Sequence, residues 1–141
     1  MPFARILIHV VWATKDRKKY LTKAKKETLI IHINQYALSK GITLLNINGY
    51  LDHLHCIISL KPEQCISNIL NLLKGESSYW ANRNLKMMEK FGWHDDYFAV
   101  SFSHSQLKIV NNYINRQELL HQSKTFQQEY EEFLLKFGFD V

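Results

Sequence analysis

Residues 52–60 read DHLHCIISL, with two histidines one residue apart at the mouth of an otherwise apolar run. In a β-strand, residues two apart point to the same face. His53 and His55 then share a face with Ile57 and Ser59, while Leu54, Cys56, Ile58 and Leu60 line the other. A sheet that gives two adjacent same-face positions to imidazoles needs a reason, and the rest of the chain has to supply it. Immediately upstream, ITLLNINGYLD reads as a partner strand, joined through a turn near Gly49. Residues 3–14 are β-branched and apolar, which predicts a central strand. A basic loop, TKDRKKY, follows that strand. Residues 22–40 then place Leu29, Ile33, Tyr36 and Ala37 at helical spacing, and Gly41 stands where a helix-terminating glycine belongs.

Downstream of the histidines, Pro62 is expected to open a helix with Ile66, Ile69, Leu70 and Leu73 as its buried stripe, running on through SSYWANRN. A loop containing Gly92 leads to a short strand, DYFAVSF. Ser103 with Gln106 fits a capping box, opening one continuous helix over HSQLKIVNNYINRQELLHQ with Leu107, Val110 and Ile114 inward. A last amphipathic segment, FQQEYEEFLLKF, ends at Gly138. The order β-α-β-β-α-β-α-α implies an antiparallel sheet with helices packed on it, a ferredoxin-like α+β layout.

Composition narrows the class. The 141 residues suit one domain with a real core, and 46% hydrophobic with 22% charged residues is an ordinary globular balance. No run reaches the length of a membrane span. The apolar N-terminal stretch lacks a small-residue cleavage site, so it reads as a strand rather than a signal peptide. Cys56 and Cys65 form no CxxC pair and suggest no disulfide framework, which points to a reducing cytoplasm. The net charge of +5 is uneven. Residues 1–26 hold eight basic side chains against Asp16 alone, whereas residues 125–141 hold Lys136 against Glu129, Glu131, Glu132 and Asp140. A basic end favours a polyanionic partner, most often nucleic acid.

Two same-face histidines on a strand make half of a divalent metal site. A metallo-hydrolase of the HxHxDH kind needs an Asp-His pair where Ile57 and Ile58 stand, and a histidine-triad hydrolase needs a third histidine at Ile57. Neither pattern fits. In NNYINRQELLH, Tyr113 and Gln117 are four apart and share one helix face, with His121 a turn further on. His121 itself reads as a helix-end histidine near a solvated tail.

These blocks together resemble the HUH nucleases, and within them the single-tyrosine transposases of small insertion sequences, the 200/605 type. DHLH and YINRQ carry the resemblance most specifically; WATKDRKKYL, NGYLDHLHCIISLKP, LKGESSYWAN, WHDDYFAVSFSHSQL and VNNYINRQELLHQSKTFQQEYEEFLLKFG extend it nearly end to end. The resemblance implies one HUH domain over residues 1–141. It implies His53, His55 and Gln117 as ligands of Mg²⁺ or Mn²⁺, and Tyr113 as the nucleophile. It further implies single-stranded DNA hairpins at element ends as partners, and a homodimer whose sites are completed in trans. A cytoplasmic, nucleoid-associated location follows. DNA contacts are expected from Arg5, Lys15, Arg17, Lys18, Lys19 and Lys74, with Trp80 as a stacking residue. No second tyrosine stands at 109 or 117, unlike two-tyrosine relatives. Two departures are visible: the sequence stops at FGFDV, which implies a less firmly anchored last helix, and LLH replaces a pair of adjacent histidines, which argues against an auxiliary histidine role. The alternative function is a domesticated, repeat-associated nickase or DNA-binding relative that no longer transposes; flanking hairpin ends against scattered palindromes would separate the two. A plasmid-mobilisation nickase shares the chemistry but carries further domains.

Overall fold

The computed structural model describes residues 3–139, so Asp140 of the acidic end lies outside the described residues. Four strands, β1 (Ile6–Ala13), β2 (Thr43–Tyr50), β3 (His53–Leu60) and β4 (Phe98–Phe102), form one sheet in the order β2-β3-β1-β4. Every pairing is antiparallel. Five helices pack on it: α1 (Lys23–Ser39), α2 (Ile66–Asn84), α3 (Leu107–Asn115), α4 (Gln117–Leu120) and α5 (Phe126–Lys136). The α+β class and the antiparallel sheet agree with the expectation.

Strand alternation builds two different layers. On one face Val10, Trp12, Leu54, Cys56 and Ile58 meet Leu29, Ile33 and Ala37 of α1 and Ile69, Leu70 and Leu73 of α2. Each such aliphatic side chain contributes about 1.5–3 kcal/mol on burial, so this layer holds the fold together. The other face carries His9, Val11, Ala13, His53 and His55, aligned by the register Val11↔His55 and Ala13↔His53. A smaller cluster of Val11, Ala13, Phe98 and Phe126 closes part of it, with Phe133 and Tyr130 packed alongside. As the second inner strand, β3 is buried along most of its length, histidines included.

Gly41 ends α1 in the left-handed region, at φ +68, as its position after the helix predicts. Four local expectations are corrected. The β2–β3 turn falls at Leu51 and Asp52, with Gly49 inside β2. Pro62 lies in a turn closed by the Gln64 amide on the Lys61 carbonyl (3.0 Å), and α2 begins only at Ile66. Ser103 makes no capping hydrogen bond and pairs instead with the Ser105 hydroxyl at 2.8 Å; the capping box belongs to Thr125 and Gln128 at the start of α5. The helix expected over residues 104–122 breaks at Arg116 into α3 and α4, and of its expected inward residues only Ile114 is buried.

Candidate active site

β3 delivers His53 and His55 from the middle of the sheet, where neighbouring strands on both sides fix its position. α3 and α4 deliver Tyr113 and Gln117 across the same face. Asn48 of β2 donates to the Ile114 carbonyl (2.9 Å), and Asn46 donates to the Asn111 and Asn115 side chains (both 3.1 Å), so the tyrosine helix is pinned to the sheet edge. The four side chains named from the sequence therefore converge within one chain. His53 Nε2 stands 2.9 Å from Gln117 Oε1, and the Tyr113 ring lies 5.7 Å from that of His55, centroid to centroid.

Burial is close to complete. His53, His55 and Gln117 are 0% exposed. The reading of His121 as a helix-end histidine near a solvated tail is overturned: its side chain is 2% exposed, and Nε2 stands 3.1 Å from Gln117 Oε1.

At the centre is a residue that sequence reasoning missed. Glu129 of α5, 1% exposed, places Oε1 at 3.2 Å from Nε2 of His53, of His55 and of His121. Its Oε2 accepts hydrogen bonds from the Tyr113 hydroxyl and from Gln117 Nε2, the latter at 3.2 Å. A signal existed. Phe126, Glu129, Tyr130 and Phe133 form one helical stripe, and a carboxylate inside an otherwise aromatic stripe has to find partners when buried.

The charges follow from this packing. Burial opposes a charge on His53, but hydrogen bonds to Asp52 and Glu129 prevail and raise it above its ordinary value. His55, with less compensation, is pushed by burial down to about 4. Burial also opposes ionisation of Glu129, yet the His121, His53 and His55 contacts hold it far below the carboxylate range. Tyr113 is raised well above a free phenol, first by burial and then by the Glu129 charge, so it is held as the neutral donor.

The donor set fits a divalent cation. His53 Nδ1 lies 2.8 Å from Asp52 Oδ1 and donates to it, so in the neutral ring Nε2 presents a bare lone pair. That lone pair faces oxygens of Gln117 and Glu129. Donor atoms of His53, His55 and Glu129 all lie within 4.8 Å of one another.

The basic residues are spread over separate surroundings. Arg17 lies over the Phe126 ring at 5.3 Å, beside the site. Lys19 lines a cavity of about 260 Å³ with Tyr50, Asp52, His121 and Lys124. Lys15 lines a larger one, about 880 Å³, with Tyr79, Arg83, Lys90 and Trp93. Arg5 bonds the His104 ring at 2.7 Å and Lys18 pairs with Glu89 at 2.8 Å. Lys74 is spent on the carbonyls of His94, Asp95 and Asp96, at 2.6, 3.2 and 3.4 Å. Trp80, expected to stack on bases, stacks on His32 at 4.1 Å instead.

Residues 3–117 match the family model described as "Transposase IS200 like". The chain belongs to that family. It is therefore a transposase, an enzyme that cuts and rejoins DNA strands in the transposition of insertion sequences. Among relatives of this IS200-like protein, the ISDra2 transposase TnpA of Deinococcus radiodurans is 25% identical over 114 residues, covering 77% of this chain and 81% of that one. The transposase for insertion sequence element IS200 of Salmonella typhimurium is 24% identical over 120 residues, covering 77% of this chain and 74% of that one. A crystal structure from Deinococcus radiodurans R1 shares the fold, with a TM-score of 0.65, 23% identity and coverage of 82% and 93%. So does a REP-associated tyrosine transposase bound to a REP hairpin, with a TM-score of 0.65, 12% identity and coverage of 86% and 72%. No helix among the described residues is long and apolar enough to cross a membrane. The family match ends at Gln117, so His121 and Glu129 lie beyond it.

Proposed function

We propose that this IS200-like protein is a metal-dependent single-stranded DNA transposase in which Tyr113 is the nucleophile and His53, His55 and Gln117 hold Mg²⁺ or Mn²⁺. One observation carries the reading: the Tyr113 phenol, two strand-held imidazoles and the Gln117 amide converge on a single buried point. The bound cation would neutralise charge on the scissile phosphate.

Each side chain has a defined task. β3 and Asp52 fix the His53 ring, and His9 Nε2, 2.9 Å from His55 Nδ1, fixes the other. α3 brings the Tyr113 oxygen to the phosphorus. That oxygen gives up its proton and forms the new O–P bond, the bond to the 3′ oxygen breaks, and that 3′ oxygen takes up a proton and leaves as a 3′-OH, so no net proton is consumed. A 5′-phosphotyrosine remains. Because the phosphodiester energy is kept in that linkage, a second 3′-OH reverses the step and joins DNA without ATP. Burial and the Glu129 charge oppose loss of the phenol proton, so this environment has to change before attack, and a cation held by the histidines would supply positive charge that favours the phenolate.

The partner in this reading is a DNA hairpin at an element end. Arg17 and Lys19 support it, since both flank the His53 side of the site. The fold shared with a hairpin-bound tyrosine transposase adds to it. We also propose a homodimer. Whether the tyrosine helix is exchanged is decided by mixing Tyr113→Phe with His53→Ala protein: exchanged helices restore activity to the mixture, and unexchanged ones leave it inactive.

The function is tested with a labelled hairpin oligonucleotide and Mg²⁺ or Mn²⁺. A covalent protein–DNA adduct should form, and Tyr113→Phe should form none. Wild-type protein that never yields the adduct on its own element's ends, with metal supplied, overturns the proposal.

A further inference from the structure

Glu129 sits at the centre of the histidine cluster. Its Oε2 is satisfied by the Tyr113 hydroxyl and the Gln117 amide. Its Oε1 is instead the meeting point of three imidazoles. The nearest groups are imidazole nitrogens at 3.2 Å, and two of those rings have committed their other nitrogen. His53 Nδ1 donates to Asp52 at 2.8 Å, and His121 Nδ1 donates to the Lys124 carbonyl at 2.6 Å. With those nitrogens committed, the Nε2 atoms of His53 and His121 are the ring atoms that face this acceptor-only oxygen. A buried carboxylate oxygen facing ring nitrogens in this way needs positive charge between them, either a proton on Nε2 or a cation that takes its place.

The spacing indicates what that is. Nitrogen and oxygen donors bind small divalent ions at about 2.1 Å. Two such donors on one ion therefore stand about 3.0 Å apart at a right angle and about 3.4 Å apart in a tetrahedron. The separations of 3.2 Å from Glu129 Oε1 to His53 Nε2 and to His55 Nε2 fall between these. His121 is not part of the group of mutually close donors; its Nε2 lies 3.1 Å from Gln117 Oε1 and 3.2 Å from Glu129 Oε1.

We infer that Glu129 is itself a ligand of the divalent ion, binding through Oε1 alongside His53 and His55. This rests on the metal-dependent reading above and adds a charged oxygen to its two neutral imidazoles and neutral amide. A carboxylate in the shell favours hard cations such as Mg²⁺ and Mn²⁺. It also makes the last helix part of the metal centre, although that helix lies outside the residues matching the family.

The test is Mn²⁺ binding by the full chain, read from the loss of the free-ion paramagnetic resonance signal, without DNA. Wild type should bind. His53→Ala should abolish binding. Glu129→Gln, which keeps size and one acceptor oxygen but removes the charge, should weaken binding at least tenfold. Wild type and Glu129→Gln within twofold of each other, with His53→Ala defective, overturns the role of Glu129 and leaves the underlying reading intact. Wild type that binds no Mn²⁺ overturns both. As a measurement independent of variant folding, wild type labelled with ¹³C-glutamate should shift a carboxylate infrared stretch on Mn²⁺ addition, and no shift overturns the proposal.

Discussion

Asp52 shows how a residue at the edge of the site controls what happens inside it. By accepting from Nδ1 it sets the tautomer and the ring angle of His53, and it favours the positively charged or metal-bound ring. Its backbone carbonyl separately accepts from the Thr14 amide at 2.8 Å, a contact that substitution leaves in place. Asp52→Ala should therefore fold normally but lose about 10–100-fold in Mn²⁺ affinity, measured by the same resonance titration. His9 sits deeper behind the site and is held neutral. Burial, and then the neighbouring His55, depress it to about 3 from 6.5; Glu129 acts in the opposite sense and Lys136 reinforces the depression. Between those two values an unfolded chain binds a proton at this position and the folded protein does not, so stability falls as pH falls through that window. Each such group contributes a slope of up to about 1.4 kcal/mol per pH unit. Thermal melts of metal-free protein from pH 7 to pH 5 should show falling Tm, and His9→Gln should make the fall shallower. An unchanged slope in that variant would show that His9 takes no part.

At the scale of elements, the strands were the legible part. Period-two patterning of residues 52–60 assigned faces to His53 through Ile58 as they stand in β3, because both layers depend on that alternation. The break between α3 and α4 was not legible. No glycine or proline marks Arg116; the break coincides with a contact from β2, where Asn48 donates to the Ile114 carbonyl that residue 118 would use in an unbroken helix. Glu129 and His121 were misjudged for a related reason: charge and position near the chain end suggest solvent, and only the tertiary fold supplies their partners. Gly49 gives the element-scale prediction. A Cβ there would clash with the His53 carbonyl and come within 2.8 Å of Leu54 Cδ2 and 2.9 Å of Leu54 Cα, against rigid backbone in the paired strand. Gly49→Ala should cost about 3 kcal/mol or more and displace His53 with it. Gly75, exposed within α2 with nothing near its Cβ position, is the control. Gly75→Ala should stabilise by about 0.5–1 kcal/mol, because alanine loses less backbone entropy in a helix. Chemical denaturation of both variants checks the pair, and a Gly49→Ala protein as stable as wild type would remove the close-approach argument.

At the scale of the whole molecule, the buried site poses a problem of access. A phosphodiester cannot reach side chains that are 0–1% exposed, so transposition requires part of the cover to leave. The main layer, with α1 and α2 against Trp12, Leu54 and Ile58, cannot be opened without unfolding the protein. The cover on the other face is a different structure. α5 rests on a small aromatic cluster of Phe98, Phe126 and Phe133, and it spends Glu129 on polar contacts where a core helix would bury an aliphatic side chain. Elements with little buried apolar contact open locally, below the global unfolding free energy. Phe126, stacked on His53 at 4.2 Å, lies at the point where such opening would expose the imidazoles beside Arg17 and Lys19. Hydrogen exchange should therefore find the amides of Phe126–Lys136 opening at lower free energy than those of β1 and β3. Mn²⁺ alone should slow exchange in α5, because a Glu129 ligand ties the helix to β3, and single-stranded DNA added afterwards should speed it. If α5 exchanges only with the global core while the protein still forms its covalent DNA adduct, the helix is not the moving cover, and the strand must enter between α3 and the sheet edge instead.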